Sequence, residues 1–120
     1  MTGKWILSLA LSLLGAGLLL PRGAASGADA PRTIPIVAHR FEFMPSTLTL
    51  ERGETVKLVV TSQDVHHGFL QRDLKIDADI APGEPAEILL TPDRAGTFTI
   101  ICDHFCGAGH GGMKLTVTVP

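Results

Sequence analysis

Residues 96–119 read GTFTIICDHFCGAGHGGMKLTVTV. Both ends of this stretch alternate. Gly96–Cys102 puts Phe98 and Ile100 on one face, and Met113–Val119 sets Leu115, Val117 and Val119 against Lys114, Thr116 and Thr118. A period of two marks a half-buried strand. Between the two strands, Cys102–Met113 holds two thiols, the His110 imidazole and the Met113 thioether, with four glycines among them. Glycine enters left-handed conformations at little steric cost, so this loop can fold tightly back on itself. Thiolate, thioether and imidazole together form a ligand set for copper. The strands hold both loop ends, and a metal held that way cannot easily change geometry between oxidation states. That favours electron transfer over catalysis.

Working outward from the loop, the same alternation recurs. Ala86–Thr91 alternates Ala86, Ile88 and Leu90 against Glu87, Leu89 and Thr91. Thr55–Thr61 places Val56, Leu58 and Val60 on one face. Thr33–His39 and Thr47–Leu50 are further strand candidates. Turns fall at Glu51–Glu54, where Gly53 is expected at positive φ, at Pro82-Gly83 and at Pro92–Gly96. No helical period runs beyond about two turns. Short strands at intervals of about 8–12 residues predict an all-β sandwich or barrel. His66 and His67 follow the Thr55–Thr61 strand. Neighbours on an extended chain point to opposite faces, so one of the two can join the loop's donors.

The chain's ends and composition narrow the function. Of 120 residues, 45% are hydrophobic and 18% charged, too apolar a mixture for a disordered chain. Met1–Lys4 is a short positive segment, Trp5–Leu20 an apolar run, and Pro21-Arg22 ends it ahead of small residues. This is the three-part pattern of an export signal, expected over residues 1–25, with an uncleaved membrane anchor as the other reading. Residues 26–31 are expected to be a linker and 32–120 the folded domain. Beyond residue 25, eight basic residues face twelve acidic ones. No basic face remains for a phosphate backbone, which excludes nucleic-acid binding. The only Trp is Trp5 and there is no Tyr, so the domain has no platform for stacking sugars or bases.

The donor set has competing readings. A disulfide is the default for two cysteines in an oxidising compartment. Cys102–Cys106 would close a very small loop and constrain the unfolded chain little, leaving His110 and Met113 without a role. A zinc site of Cys102, Cys106, His110 and one upstream His supplies four closed ligands but omits Met113. A mononuclear blue-copper site leaves one Cys spare. Cys102-Asp103-His104 matches half of a Rieske cluster motif without the other half. There is no Cys-x-x-Cys-His for covalent haem.

The pattern Cys-x-x-x-Cys-Gly-x-Gly-His-x-x-Met over 102–113 resembles the binuclear copper A site of the cupredoxin domain in cytochrome c oxidase subunit II and nitrous oxide reductase. Asp64-Val65-His66-His67-Gly68-Phe69, Ile80-Ala81-Pro82-Gly83, Arg94-Ala95-Gly96 and Ile100-Ile101-Cys102 match as well, so the resemblance runs from about Ile36 to Val119. It implies a Greek-key cupredoxin sandwich. It implies two copper ions bridged by Cys102 and Cys106, with His67 on one and His110 on the other. Met113 and the main-chain carbonyl of His104 would be weak ligands. In the family the ligand histidine directly precedes a small residue and an aromatic one, which selects His67 over His66.

The resemblance further implies a periplasmic electron carrier, not an enzyme in itself. Its redox partner would be a c-type cytochrome or an oxidase catalytic subunit, with membrane contact only if the N-terminal segment is retained. Carboxylates such as Asp64 or Asp103 are candidates to orient the imidazoles. Three departures stand out. The chain opens with one apolar run where subunit II normally has a two-helix hairpin. His stands at 104 where oxidase members often carry Glu. The aromatic cluster that admits electrons from cytochrome c is missing. A free carrier, or a detached subunit of an unusual oxidase, fits these departures. The same ligands would also serve a chaperone or store that delivers Cu(I), and a zinc-stabilised binding module would be colourless. Met44 and the five Phe residues are expected in the core or shielding the site. His66 and the His104 ring are expected at its rim, and His39 on the surface.

Overall fold

The computed structural model describes residues 30–120, with Gly3, Gly15 and Gly17 as isolated points. The expected signal segment, and most of the linker, lie outside the described residues. Nine strands follow in chain order: β1 (Arg32–His39), β2 (Glu42–Met44), β3 (Thr47–Thr49), β4 (Val56–Ser62), β5 (His67–Gln71), β6 (Ile76–Ile80), β7 (Ala86–Leu90), β8 (Gly96–Ile101) and β9 (Lys114–Val119). A 3-10 turn, His110–Gly112, precedes β9.

The strands form two sheets, ordered β2-β1-β4-β7 and β3-β9-β8-β5-β6. The chain passes repeatedly from one sheet to the other. That crossing creates two parallel neighbours, β1 beside β4 and β3 beside β9, among otherwise antiparallel pairs. The inward positions are those the alternation selects. Ile36 and Ala38 of β1, Val56, Leu58 and Val60 of β4, Phe98 and Ile100 of β8, and Leu115, Val117 and Val119 of β9 are all buried. Phe43 on β2 meets Phe69 on β5 edge to face, with centroids 5.3 Å apart, which joins the two sheets through aromatic contact. Gly53 turns at φ 84°, as its place in the turn requires.

Two expectations about packing change. Met44 is 41% exposed rather than in the core. It shares the three-residue β2 with inward-facing Phe43, and strand alternation turns the neighbour outward. Phe41 and Phe105 are also exposed. Phe43, Phe69 and Phe98 are buried as expected. Among the described residues no helix is long and apolar enough to cross a membrane.

Candidate metal centre

The β8–β9 hairpin and the first residue of β5 build the site. At its neck the Cys102 amide donates to the Met113 carbonyl at 3.2 Å, closing the loop directly above the two strands. β5 pairs antiparallel with β8, Leu70 opposite Ile101. Followed past the strand end, this register brings Gly68 against Asp103 and His67 against His104. A Cβ on Gly68 would lie 2.8 Å from both the Asp103 and His104 amide nitrogens, so only glycine permits the approach. His67 is thereby held fully buried beside the loop.

The donors converge in two arms. Cys102 Sγ and Cys106 Sγ lie 3.9 Å apart, both buried and unbridged. His67 Nδ1 faces Cys102 Sγ at 3.9 Å. On the other side, His110 Nδ1 and the buried Met113 Sδ each lie 3.9 Å from Cys106 Sγ. The carbonyl oxygen of His104 lies 3.2 Å from Cys102 Sγ. The donor atoms of His67, Cys102 and Cys106 all fall within 4.8 Å of one another. A metal about 2.3 Å from each of two sulfurs so spaced would sit between them, so this cluster has the chemistry and separation to bind copper. Every residue singled out in the sequence is brought here: His67, Cys102, Cys106, His110 and Met113 by side chain, His104 by its carbonyl. The His104 ring turns away and stacks on the His66 ring, centroids 4.4 Å apart, at the exposed rim.

Surrounding groups orient His67 and shift two of the acids. His67 Nε2 lies 2.8 Å from Asp64 Oδ1, a contact that turns Nδ1 toward the thiols. Asp64, not Asp103, is therefore the orienting carboxylate for His67. The Arg40 amide donates to Asp64 Oδ2 at 2.7 Å and the Val65 amide to Oδ1 at 2.6 Å. Burial opposes ionisation of Asp64. The bonds from the Arg40 amide, the His67 ring and the Val65 amide outweigh it and hold the carboxyl at about 2. Burial, followed by the adjacent Cys102 thiol, pushes Cys106 up to about 11. Cys106 is thus a thiol in the metal-free protein at neutral pH, and metal binding must displace its proton. The Gly68 amide points at Cys102 Sγ at 3.4 Å, a donor ready for a thiolate.

One supporting residue, Arg40, went unread in the sequence, and a second, Phe41, was expected only as a core or site-shielding ring. Arg40 donates from Nε to the Cys106 carbonyl at 2.8 Å. The Phe41 ring lies under the ligand loop, where a Cβ on Gly107 or Gly109 would come within 2.7 and 2.5 Å of it. The aromatic-glycine contact was visible only as glycines without a partner, and nothing in the sequence pointed to Arg40. Beside the thiols opens a cleft of about 270 Å³, lined by Arg40, Val65, His66, His104, Phe105 and Cys106. Phe105 forms its lip, 75% exposed and 5.9 Å from the His110 ring, so it leaves the mouth open to contact instead of sealing it.

Comparison with known proteins agrees with this geometry. The profile of the family described as cupredoxin-like domain matches residues 8–117. Cytochrome c oxidase subunit 2 of Thermus thermophilus is 33% identical over 87 residues, covering 72% of this chain and 64% of that protein. Nitrous-oxide reductase of Cupriavidus necator is 29% identical over 91 residues, covering 72% of this chain and 14% of that one. Among solved structures, the periplasmic domain of subunit II of cytochrome oxidase from Bradyrhizobium japonicum superposes with a TM-score of 0.70 at 19% identity. It covers 77% of this chain and 86% of that one. The chain thus spans less than two thirds of the length of these curated relatives.

Proposed function

The chain belongs to the cupredoxin-like domain family, and from that premise we propose that it is an extracytoplasmic electron carrier with a binuclear copper A centre. One observation carries the reading. Two buried thiols 3.9 Å apart are flanked on one side by His67 Nδ1 and on the other by His110 Nδ1 and Met113 Sδ. A single closed site would gather its donors around one point. Donors split to either side of a thiol pair support two adjacent positions over one. Cys102 and Cys106 would bridge, His67 and His110 would each hold one ion, and Met113 and the His104 carbonyl would complete the set.

Bound copper would supply the one-electron couple. The protein's part is to keep the donors still while charge changes. The two strands and the Cys102–Met113 bond fix the loop ends, Asp64 fixes the His67 ring, and burial of both sulfurs excludes water. The Phe105 lip and the His110 ring behind it would be the contact face for a redox protein, a c-type cytochrome or an oxidase catalytic subunit. The relatives' names support this partner class. Residues 1–25 would direct export, 26–31 link, and 32–120 carry the site.

Electron paramagnetic resonance of the copper-loaded chain tests the proposal. A hyperfine pattern from one electron shared by two copper nuclei is expected, lost in Cys102→Ser and in Cys106→Ser. A single-copper pattern would replace the reading with a mononuclear site. Bound copper without a signal, readily surrendered to a competing chelator, would replace it with Cu(I) delivery.

A further inference from the structure

Arg40 follows the last residue of β1 and lies far in sequence from every donor, yet it touches both halves of the site. Its amide donates to Asp64 Oδ2 at 2.7 Å, and the other oxygen of that carboxylate holds His67 Nε2 at 2.8 Å. Its Nε donates to the Cys106 carbonyl at 2.8 Å. The next residue, Phe41, lies flat against Gly107 and Gly109 of the ligand loop. The guanidinium also lines the cleft beside Cys106, and no carboxylate among the described residues pairs with it.

We propose that Arg40 is a positioning residue that ties the His67 arm and the Cys106 arm of the centre into one rigid unit. His67 enters from β5 and Cys106 from the β8–β9 loop; these arms touch through the Gly68 approach, the His66–His104 stack and the thiols, none of which reaches the Cys106 carbonyl. A metal would join them, but a donor set that relaxes when the metal changes charge would slow electron exchange. Arg40 links the arms through main-chain and carboxylate groups that are present with or without metal. A guanidinium bond to a carbonyl is charge-assisted, hence stronger than a neutral one. The same cation beside two thiolates disfavours the more oxidised, more positive state of the centre and so holds the potential up. This second effect rests on the copper reading above, and the first does not.

The test has a metal-free arm and a loaded arm. In the metal-free chain, Asp64→Asn is expected to raise hydrogen exchange at the Cys106–Gly109 amides about tenfold, a loss of about 1.4 kcal/mol of local protection. In an Arg40→Met background that transmitted effect should vanish, because the route from Asp64 to the loop is cut. Equal acceleration in both backgrounds would overturn the proposal. In the copper-loaded chain, Arg40→Met should lower the reduction potential and Arg40→Lys should restore most of it. A potential unmoved by Arg40→Met would also overturn it, since a residue that merely stabilised the fold would leave the potential alone. Arg40 is exposed, so both variants are expected to fold. If wild type fails to show a two-copper signal, the copper A reading falls while the metal-free arm still decides the role of Arg40.

Discussion

The Asp64 carboxylate accepts from the Arg40 amide, the Val65 amide and the His67 ring, and those three bonds keep it ionised down to about pH 2. Its folded value lies below the ordinary aspartate value of 3.8. The contribution to stability is therefore present above about pH 4 and lost as pH falls from there toward 2. Acid titration of the metal-free chain, followed by circular dichroism, should show this loss, and Asp64→Asn should flatten it. An unchanged acid limb in the variant would show that other carboxylates govern it. The same bond separates the two adjacent histidines. His67→Ala should abolish the copper spectrum, whereas His66→Ala should leave it near wild type, because His66 stacks on the exposed His104 ring and faces Asp79, and neither contact involves a donor side chain. Alternation in the sequence established that one of the pair points inward. It could not say which, because Asp64, Val65 and His66 lie between β4 and β5, where strand parity is interrupted.

At the scale of elements, the ligand loop owes its shape to what lies beneath it. Gly109→Ala would drive a methyl into the Phe41 ring at 2.5 Å. The loop would lift, and copper retention should fall; Phe41→Ala in the same chain should recover part of it. Chelator competition measures both, and a Gly109→Ala chain that holds copper like wild type would refute the contact's importance. The long strands with regular alternation, β1, β4, β7, β8 and β9, were legible from the sequence to within a residue or two. β2, β5 and β6 were not. β2 has three residues, β5 runs from His67 through a glycine, and β6 alternates Ile76 and Ile80 with Asp77 and Asp79 around a small Ala78. Their strand form comes from pairing partners far along the chain, which a local pattern does not contain. The donor residues were legible because their chemistry is rare. Arg40 was not, since an arginine after a strand end has no distinctive spacing, and Phe41 was legible only as a core or site-shielding ring.

For the whole molecule, the sandwich and the site share one body. Ile100 is fully buried and lies two residues from Cys102. Ile100→Ala should cost about 3 kcal/mol of unfolding free energy, while Leu89→Thr on the outer face, where Leu89 is 67% exposed, should change it by less than about 0.5 kcal/mol. Urea denaturation compares them directly, and similar midpoints would mean that Ile100 is not in a packed core. Removing copper should lower the melting temperature as well, because a ligand that binds only the folded chain adds to its stability.

His67 stands 35 residues before Cys102, and the two become neighbours only when β5 lies against β8. β9, which closes the loop from the far side, in turn runs parallel to β3 from the early part of the domain. An unfolded chain therefore keeps Cys102, Cys106, His110 and Met113 within twelve residues of one another but leaves His67 distant. Laying β5 against β8 is what adds the His67 arm to a donor set that is otherwise local in the chain.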